Sequence, residues 1–232
     1  MVEKVIIFDS GTLISFAMNG LLPELVKLKE IFNGKFIIPI EVKKEIIDTP
    51  IEIKKFELQA MKLKDLFSRN ILETPNSLDI KQKDISKITL ELLNKANTLL
   101  VSKNKDVELI SSGETACLAL SKILSDRKID NLIAADERTI RVLCENPRNL
   151  KNLMERKLHS KVEFKKENFE EFKGFRFIRS TELIYIVYKK GLIELKEEKL
   201  LDALLWALKS TGCAISTEEI EEIKSIAKRE GF

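Results

Sequence analysis

The sequence predicts an α/β fold: a three-layer α/β/α arrangement with a central parallel sheet, followed by C-terminal helices. Short apolar runs rich in β-branched residues and Phe alternate along the chain with longer segments of helical periodicity. Each predicted strand is a continuous apolar run rather than an alternation of apolar and polar residues. Such runs are typical of parallel strands that helices cover on both faces, so a doubly covered parallel sheet is expected.

The first half of the chain supplies two of these strands. The run at 5–8 stops at Asp9, and the run at 35–38 is closed by Pro39, which has no N–H for a strand ladder. Apolar residues at helical spacing predict the helices that follow each strand. The predicted helices are at 12–17, 23–32, 41–47, 51–67 and 84–100, and a short strand is predicted at 71–72.

The second half contains two capping boxes that announce helices. Ser111 with Glu114 opens a helix at 115–124, and Ser216 with Glu219 opens the last helix at 217–229. The remaining predicted elements are strands at 131–135 and 175–178, helices at 137–144 and 199–209, and a helix that runs to 188 before the break at Gly191.

Length and composition are those of a soluble protein. A chain of 232 residues fits one large domain, or a domain with an appendage, and its 44% apolar and 33% charged residues are ordinary for globular proteins. No apolar run is long enough to cross a bilayer, and no signal peptide is expected because the first apolar run meets Asp9 within a few residues. We therefore expect a cytoplasmic protein, and its many Lys, acidic and Ile residues are compatible with a thermophile.

Cysteine and histidine usage narrows the chemistry. Cys117, Cys144 and Cys213 lie far apart in predicted helices, so small buried hydrophobes are favoured over disulfides or zinc ligands. His159 is the only histidine, which excludes histidine-rich metal sites and disfavours Ser-His-Asp or Cys-His catalysis. Hydrolytic chemistry would therefore depend mainly on carboxylates and the metals that they bind.

Acidic residues recur where ligands bind in parallel α/β folds, beyond the carboxyl ends of the strands. Asp9 follows the first predicted strand, Asp136 follows the third, and Glu114 lies in the first turn of the helix that precedes the third. After the second strand, Glu45 is preferred to Glu41 because it flanks the apolar stripe of its helix.

Each acid alone also has a structural interpretation. Asp9 and Asp136 would cap helices, Glu114 completes a capping box, and acids in a first turn favour the helix dipole. Four carboxylates at one edge would repel one another unless a cation neutralised them. Oxygen ligands without His or Cys suit Mg²⁺ or Mn²⁺, so a site for one of these ions is expected.

Four short motifs occur in order over about residues 4–190: Asp9-Ser-Gly-Thr-Leu-Ile14, Pro39-x-x-Val42-x-x-Glu45-Ile46, Gly113-Glu114, and Ala135-Asp136-Glu137-Arg138-x-x-Arg141. Together they resemble PIN-domain proteins, the metal-dependent ribonuclease fold that includes the VapC-like toxins of prokaryotic toxin–antitoxin pairs. The end of the chain is similar to the two-helix end of a prokaryotic PIN subgroup.

The resemblance implies a PIN-like nuclease domain over 1–190 and a helical extension over 191–232. It implies a metal site of Asp9, Glu45, Glu114 and Asp136, with Glu137 as a further ligand. The reaction implied is hydrolysis of RNA phosphodiester bonds with one or two Mg²⁺ or Mn²⁺ ions and no nucleophilic side chain. Single-stranded RNA, a second copy of the chain and an antitoxin protein are the expected partners.

The chain departs from the family pattern at two acids and in one segment. Glu114 stands where many VapC-like members have Asp, and Glu137 stands in the usual Asp-Asp pair, so metal affinity or choice is expected to differ. The stretch at about 147–174 is an insertion compared with the compact toxins. Residues 147–179 contain ten Lys and Arg and five acidic residues, a net charge of +5. This segment is equally compatible with an anionic partner and with a solvated basic surface.

Several neighbours of the acids are candidate contacts for nucleic acid. Ser10 and Thr12 offer hydroxyls for a metal-bound water or a phosphate oxygen, or cap the first helix. Arg138 and Arg141 offer guanidinium groups for a backbone phosphate, or form a solvated helix surface. The Phe residues of the basic segment are predicted to pack on the core rather than to stack on bases.

Two alternatives to a nuclease stay open. The stretch around Asp9 resembles the start of a haloacid-dehalogenase-type phosphatase, in which this aspartate would attack phosphorus. That family needs a second aspartate two residues later, where this chain has Gly11. The other alternative is a PIN-like module that binds nucleic acid or joins an assembly without cleaving. It stays open because Glu114 and Glu137 depart from the aspartates of the family pattern.

Overall fold

The structure is a computed structural model that describes residues 4–165 and 169–231. Its strands are β1 (Lys4–Phe8), β2 (Lys35–Ile37), β3 (Leu100–Ser102), β4 (Lys105–Asp106), β5 (Asp130–Ala134), β6 (Glu163–Phe164) and β7 (Phe177–Ile178). Its α-helices are α1 (Ser10–Met18), α2 (Leu22–Ile31), α3 (Ile40–Lys43), α4 (Glu57–Ser68), α5 (Gln82–Ala96), α6 (Ser112–Asp126), α7 (Arg138–Glu145), α8 (Leu150–Leu158), α9 (Ser180–Lys189), α10 (Leu200–Ser210) and α11 (Thr217–Arg229).

The central sheet has four parallel strands in the order β2-β1-β5-β7. The β1 strand pairs with β5 along its whole length, ending with Phe8 opposite Ala134, and it pairs with β2 on its other side. The carboxyl ends of these strands therefore lie at one edge, where Asp9 follows β1 and Asp136 follows β5. The parallel sheet that the apolar runs predict is confirmed.

Helices cover this sheet in two layers. Helix α6 lies against β1 and β5 and is covered by α5, whereas α1, α2 and α9 contact one another, and α10 packs on α9. One hydrophobic core joins all of these elements, from Phe8 in β1 to Leu205 in α10 and Ile220 in α11. The three-layer α/β/α fold with C-terminal helices is confirmed, and the C-terminal helices share the core of the sheet.

Two predicted elements are wrong in part. The helix predicted at 51–67 begins only at Glu57, because Pro50–Glu52 forms a 3-10 turn and Ile53 is extended (φ −108°, ψ 109°). The strand predicted at 71–72 is replaced by an isolated parallel bridge between Glu73 and Ile37. The helix after β2 begins at Ile40 and widens into a π-helix over Lys44–Asp48.

The segment before β7 contains structure that the sequence analysis did not predict. Helix α8 occupies part of the predicted insertion, and β6 pairs with β3, which also pairs with β4, in a small antiparallel sheet. Phe172 is fully buried and Phe164 packs edge-to-face on Phe169, so the predicted core packing of these rings is confirmed. Lys166 and Glu167 of the basic segment lie outside the described residues.

The three cysteines are free and buried, as predicted. Burial raises the pKa of Cys144 above its ordinary range and that of Cys213 to about 11, so both are inert thiols near neutral pH. Over the part of the chain that the structure describes, no helix is both long and apolar enough to cross a membrane.

Candidate functional site

Asp9 uses one carboxylate oxygen for the fold and leaves the other without a partner. Its side chain is buried, with the residue 4% exposed, and Oδ2 accepts a hydrogen bond from the Gly11 N–H at 3.3 Å. The Asp9 N–H donates to the Ala134 carbonyl of β5 at 2.9 Å. Asp9 therefore caps α1, as its structural interpretation predicts. Its Oδ1 is buried and has no hydrogen-bond partner among residues 4–165 and 169–231.

Glu114 shows the same division between its two oxygens. Its Oε2 accepts the Ser111 N–H at 2.7 Å, and the Ser111 hydroxyl accepts the Glu114 N–H at 3.3 Å, which completes the predicted capping box. The residue is only 9% exposed. Its Oε1 is buried and makes no hydrogen bond within the described chain. Capping by Glu114 is thus confirmed, but capping uses only one of its oxygens.

Asp136 repeats this division after β5. The residue is 2% exposed, and its Oδ1 accepts the Ser180 N–H at the start of α9 at 2.8 Å. Its backbone carbonyl accepts the Ala214 N–H at 3.1 Å, so this aspartate also anchors the C-terminal extension. Its Oδ2 is buried and lacks a partner in the described residues. The expected cap of the next helix comes from Glu137 instead.

The helix after β2 brings two glutamates to this edge. Glu45 lies in the π-helix with its carboxylate against Gly113: a Cβ at position 113 would lie 2.6 Å from Glu45 Oε1. Glu41, which the sequence analysis ranked below Glu45, accepts a hydrogen bond from the Gln82 side-chain amide at 2.8 Å. Its other oxygen is buried and has no partner among the described residues. Glu41 is therefore a further candidate ligand that sequence reasoning passed over.

Electrostatic coupling links four of these acids, Asp9, Glu41, Glu45 and Glu114. Burial, together with the smaller effects of the Glu114 and Glu45 charges, raises the pKa of Asp9 to about 7. Burial also raises the pKa of Glu114. Burial raises the pKa of the Cys117 thiol well above its usual value, with further contributions from Asp9, Glu114, Glu45 and Glu41. The structure thus groups four carboxylates around Cys117.

Glu137 and Lys157 form an ion pair beside this group. Glu137 caps α7 by accepting hydrogen bonds from the Thr139 N–H and hydroxyl, and Lys157 Nζ lies 3.1 Å from its Oε1. Burial alone would raise the pKa of Glu137, but the hydrogen bonds from Thr139 and Lys157 outweigh burial and lower it. The Lys157 charge also acts on Glu114. Lys157 is a cation at the site that the sequence analysis did not single out.

The remaining predicted contacts differ in accessibility. Ser10 and Arg138 begin α1 and α7 at the surface, beside Asp9 and Glu137 respectively. Thr12 is fully buried and its hydroxyl makes no hydrogen bond within the described chain, so it does not cap α1.

Arg141 is directed into the C-terminal extension rather than left on a solvated surface. It donates to the Ala214 carbonyl at 3.0 Å, and burial lowers the pKa of its guanidinium, as does the charge of Arg179. Its Nε is buried and has no hydrogen-bond partner among the described residues. A phosphate at Arg141 would therefore have to reach a half-buried group that already contacts the backbone.

The carboxylates do not form a preformed coordination sphere. No group of three or more His, Cys, Asp or Glu side chains in residues 4–165 and 169–231 is arranged so that it could hold a metal ion. The donor chemistry nevertheless fits a hard divalent cation, because Asp9, Glu41, Glu114 and Asp136 each leave one buried oxygen without a hydrogen bond. Buried polar atoms are normally satisfied, so four unsatisfied carboxylate oxygens at one edge require an explanation.

Comparison of the chain with protein-family models, with curated proteins and with solved structures gives no match. The functional interpretation therefore depends on the residues and geometry described above.

Proposed function

We propose that this protein is a metal-dependent endoribonuclease that hydrolyses phosphodiester bonds in single-stranded RNA. The observation that supports the proposal is the burial of Asp9 beside Glu114 and Glu45, with a pKa raised to about 7 and one oxygen left without a partner. Burying like charges together is unfavourable for folding, and strongly perturbed carboxylates at the ends of parallel strands are typical of functional sites.

The proposed ligands are the carboxylates that each leave an unengaged oxygen. Asp9, Glu114 and Asp136 would hold Mg²⁺ or Mn²⁺ through that oxygen, while their other oxygens stay fixed by Gly11, Ser111 and Ser180. Glu41, whose other oxygen is held by Gln82, would be a fourth ligand of the same kind. Glu45 and Glu137 would either bind the ion as further ligands or balance its positive charge. Glu137 lies at the outer side of the carboxylate group, where it pairs with Lys157. When bound, such an ion would supply an activated water as nucleophile and would stabilise charge on the phosphoryl group.

Other side chains at this edge would handle the RNA. Lys157 lies beside Glu137 and close enough to Glu114 for its charge to act on that carboxylate, so it is suited to a backbone phosphate near the site. Ser10 and Arg138 are accessible beside the acids and fit the same role. This reaction needs no histidine as a general base or acid, which agrees with a chain that contains a single histidine.

The wider setting belongs to the same proposal. A cytoplasmic location is expected from the apolar runs of the sequence, a homodimer from its apolar C-terminal helix pair, and an antitoxin partner from the PIN resemblance. Oligomeric state and co-purifying proteins would test the last two.

The direct test is incubation of the purified protein with end-labelled single-stranded RNA and Mn²⁺. We expect cleavage that EDTA abolishes and that Asp136→Asn reduces at least about 100-fold, because a ligand is lost while the amide can still accept the Ser180 N–H. Asp65→Asn is the matched charge control, because Asp65 is exposed on α4 and pairs only with the neighbouring Arg69 among the ion pairs of the described chain. This variant should cleave RNA like wild type.

Two outcomes would separate the alternatives. RNA that is bound but stays intact with Mn²⁺ would replace the nuclease with a module that binds without cleaving. Release of p-nitrophenol from p-nitrophenyl phosphate, lost in Asp9→Asn, would instead support the phosphatase alternative, in which Asp9 is the nucleophile.

A further inference from the structure

A small apolar pocket lies beside the carboxylate group and shares Glu45 with it. The pocket is formed by α1, the π-helix and the start of α4, and it has a volume of about 270 Å³. We call it the Phe56 pocket; Ile14, Met18, Glu45, Lys55, Phe56 and Gln59 are its distinctive lining residues.

Several large apolar side chains that line the Phe56 pocket are exposed to solvent. Phe56 is 45% exposed, Met18 60% and Ile14 39%. Neighbouring exposed apolar side chains of this kind mark binding sites more often than isolated ones do. The volume is slightly below the range of pockets for drug-sized ligands, which suits a single planar ring system rather than a larger molecule.

The polar groups in the Phe56 pocket match the edge of a nucleobase. The amide oxygen of Gln59 is buried and has no hydrogen-bond partner in the described residues, and the same amide carries two N–H donors. Glu45 also lines the pocket, and its carboxylate lies against Gly113 on the side of the proposed metal site. A ligand that carries both donors and acceptors on a flat ring would satisfy this set.

An exposed cation among the lining residues of the pocket completes the match. Lys55 Nζ lies 5.2 Å from the centroid of the Phe56 ring, so a positive charge and an aromatic face are presented together. Aromatic platforms with adjacent cations are the usual means by which proteins bind unpaired bases and the phosphates beside them.

We propose that the Phe56 pocket is a subsite for one unpaired nucleobase of the RNA, with Phe56 as its stacking platform and Gln59 as the group that reads its edge. The inference rests on the proposed function, because the shared Glu45 places the base next to the phosphodiester that is cleaved. It names the substrate class more closely: the base must be unstacked and unpaired, so double-stranded RNA is excluded.

Binding and cleavage can be tested separately. The binding probe is a fluorescein-labelled single-stranded RNA hexamer, titrated by anisotropy in EDTA and again with Ca²⁺, together with hexamers that carry one abasic ribose at each position in turn. We expect one abasic position to weaken binding about ten-fold, and Phe56→Ala to weaken the intact hexamer by a similar factor. Phe56→Ala should leave the affinity for that abasic hexamer unchanged, because the contact is already lost.

Matched variants control the measurement. Leu58→Ala, at a residue that is 59% exposed on the same helix and does not line the pocket, should bind both RNAs like wild type. Gln59→Leu keeps the volume but removes the amide, and it should reduce the preference among hexamers that differ only in the base at the sensitive position.

Each outcome bears on one proposal. A flat abasic scan, an unchanged affinity in Phe56→Ala, or no binding by wild type would overturn the base subsite, even if RNA is cleaved elsewhere. Phe56-dependent binding without Mn²⁺-dependent cleavage would support the subsite and refute the nuclease. A wild-type dimer in sedimentation that Phe56→Ala converts to monomers, with RNA affinity unchanged, would overturn the subsite and assign the pocket to a second copy of the chain.

Discussion

Asp9→Asn should stabilise the metal-free protein at alkaline pH, although it removes a predicted ligand. The aspartate has a pKa of about 7 in the folded protein and 3.8 as the ordinary value. Between pH 3.8 and about pH 7, Asp9 holds a proton in the folded state that it has released in the unfolded chain. The free energy of unfolding therefore falls as the pH rises through this range. Asparagine carries no charge and can still accept the Gly11 N–H.

The size of the effect follows from the two pKa values. One pKa unit is worth about 1.4 kcal/mol, so the full change corresponds to about 4 kcal/mol, of which about 2 to 3 kcal/mol falls between pH 5 and pH 8. For a protein of this length, 1 kcal/mol shifts the Tm by about 2–4 °C. Charges that face Asp9 come from Glu114 and Glu45, and the Cys117 thiol is held neutral beside them.

The assay is urea unfolding at several pH values between 5 and 8 in the presence of EDTA. Wild type should lose stability across this range relative to Asp9→Asn, and the two free energies of unfolding should diverge by about 2 kcal/mol or more at pH 8. Asp65→Asn, exposed on α4, controls for the change in net charge and should follow wild type. Parallel pH profiles for wild type and Asp9→Asn would refute the buried-charge argument.

The remaining predictions concern groups that position the site. Gly113→Ala should fold but reduce Mn²⁺ affinity and RNA cleavage about ten-fold, because its Cβ would displace the Glu45 carboxylate. Mn²⁺ titration and the cleavage assay check this, and unchanged activity would contradict it. Glu114→Gln should keep the cap on Ser111 and retain stability while cleavage falls, whereas Glu114→Ala should lose about 1 kcal/mol as well, measured by urea unfolding. Arg179→Lys should loosen α11 and increase its amide hydrogen exchange, because lysine cannot bridge both carboxylates that the guanidinium joins.

Arg179 illustrates a contact that sequence patterns do not show. Its side chain is 12% exposed and joins Glu182 on α9 to Glu219 on α11, in hydrogen bonds of 2.7 Å to each. Burial alone would lower the pKa of Arg179, but these carboxylates raise it instead. Pairing across 40 residues follows from tertiary packing, and nothing in the local sequence predicts it.

The main sheet could be predicted because its strands carry their own signal. In β1, β2 and β5 the apolar residues are consecutive, and a helix follows each of these strands, whereas Arg176 interrupts the apolar residues at 175–178 around β7. The small antiparallel sheet could not be predicted in this way. Its strands are two or three residues long, and the pairing of Leu100 with Phe164 is defined only once distant segments meet.

The candidate site was predicted in its members but not in its details. Asp9, Glu114 and Asp136 follow or precede buried strands, so their common edge follows from the topology of the sheet. The ranking of Glu45 over Glu41 assumed an α-helix, and the π-helix over Lys44–Asp48 changes the angle between successive residues. Lys157 was missed because it reaches Glu137 from α8, a helix that the sequence analysis did not predict.

The central claim is that the buried carboxylates hold a divalent cation, and calorimetric titration of Mn²⁺ tests it most directly. The account predicts that wild type binds Mn²⁺ near neutral pH and that Asp9→Asn and Asp136→Asn each bind it at least about ten-fold more weakly, with Asp65→Asn unchanged. Equal Mn²⁺ affinity in wild type and Asp9→Asn, in variants shown to be folded, would contradict it.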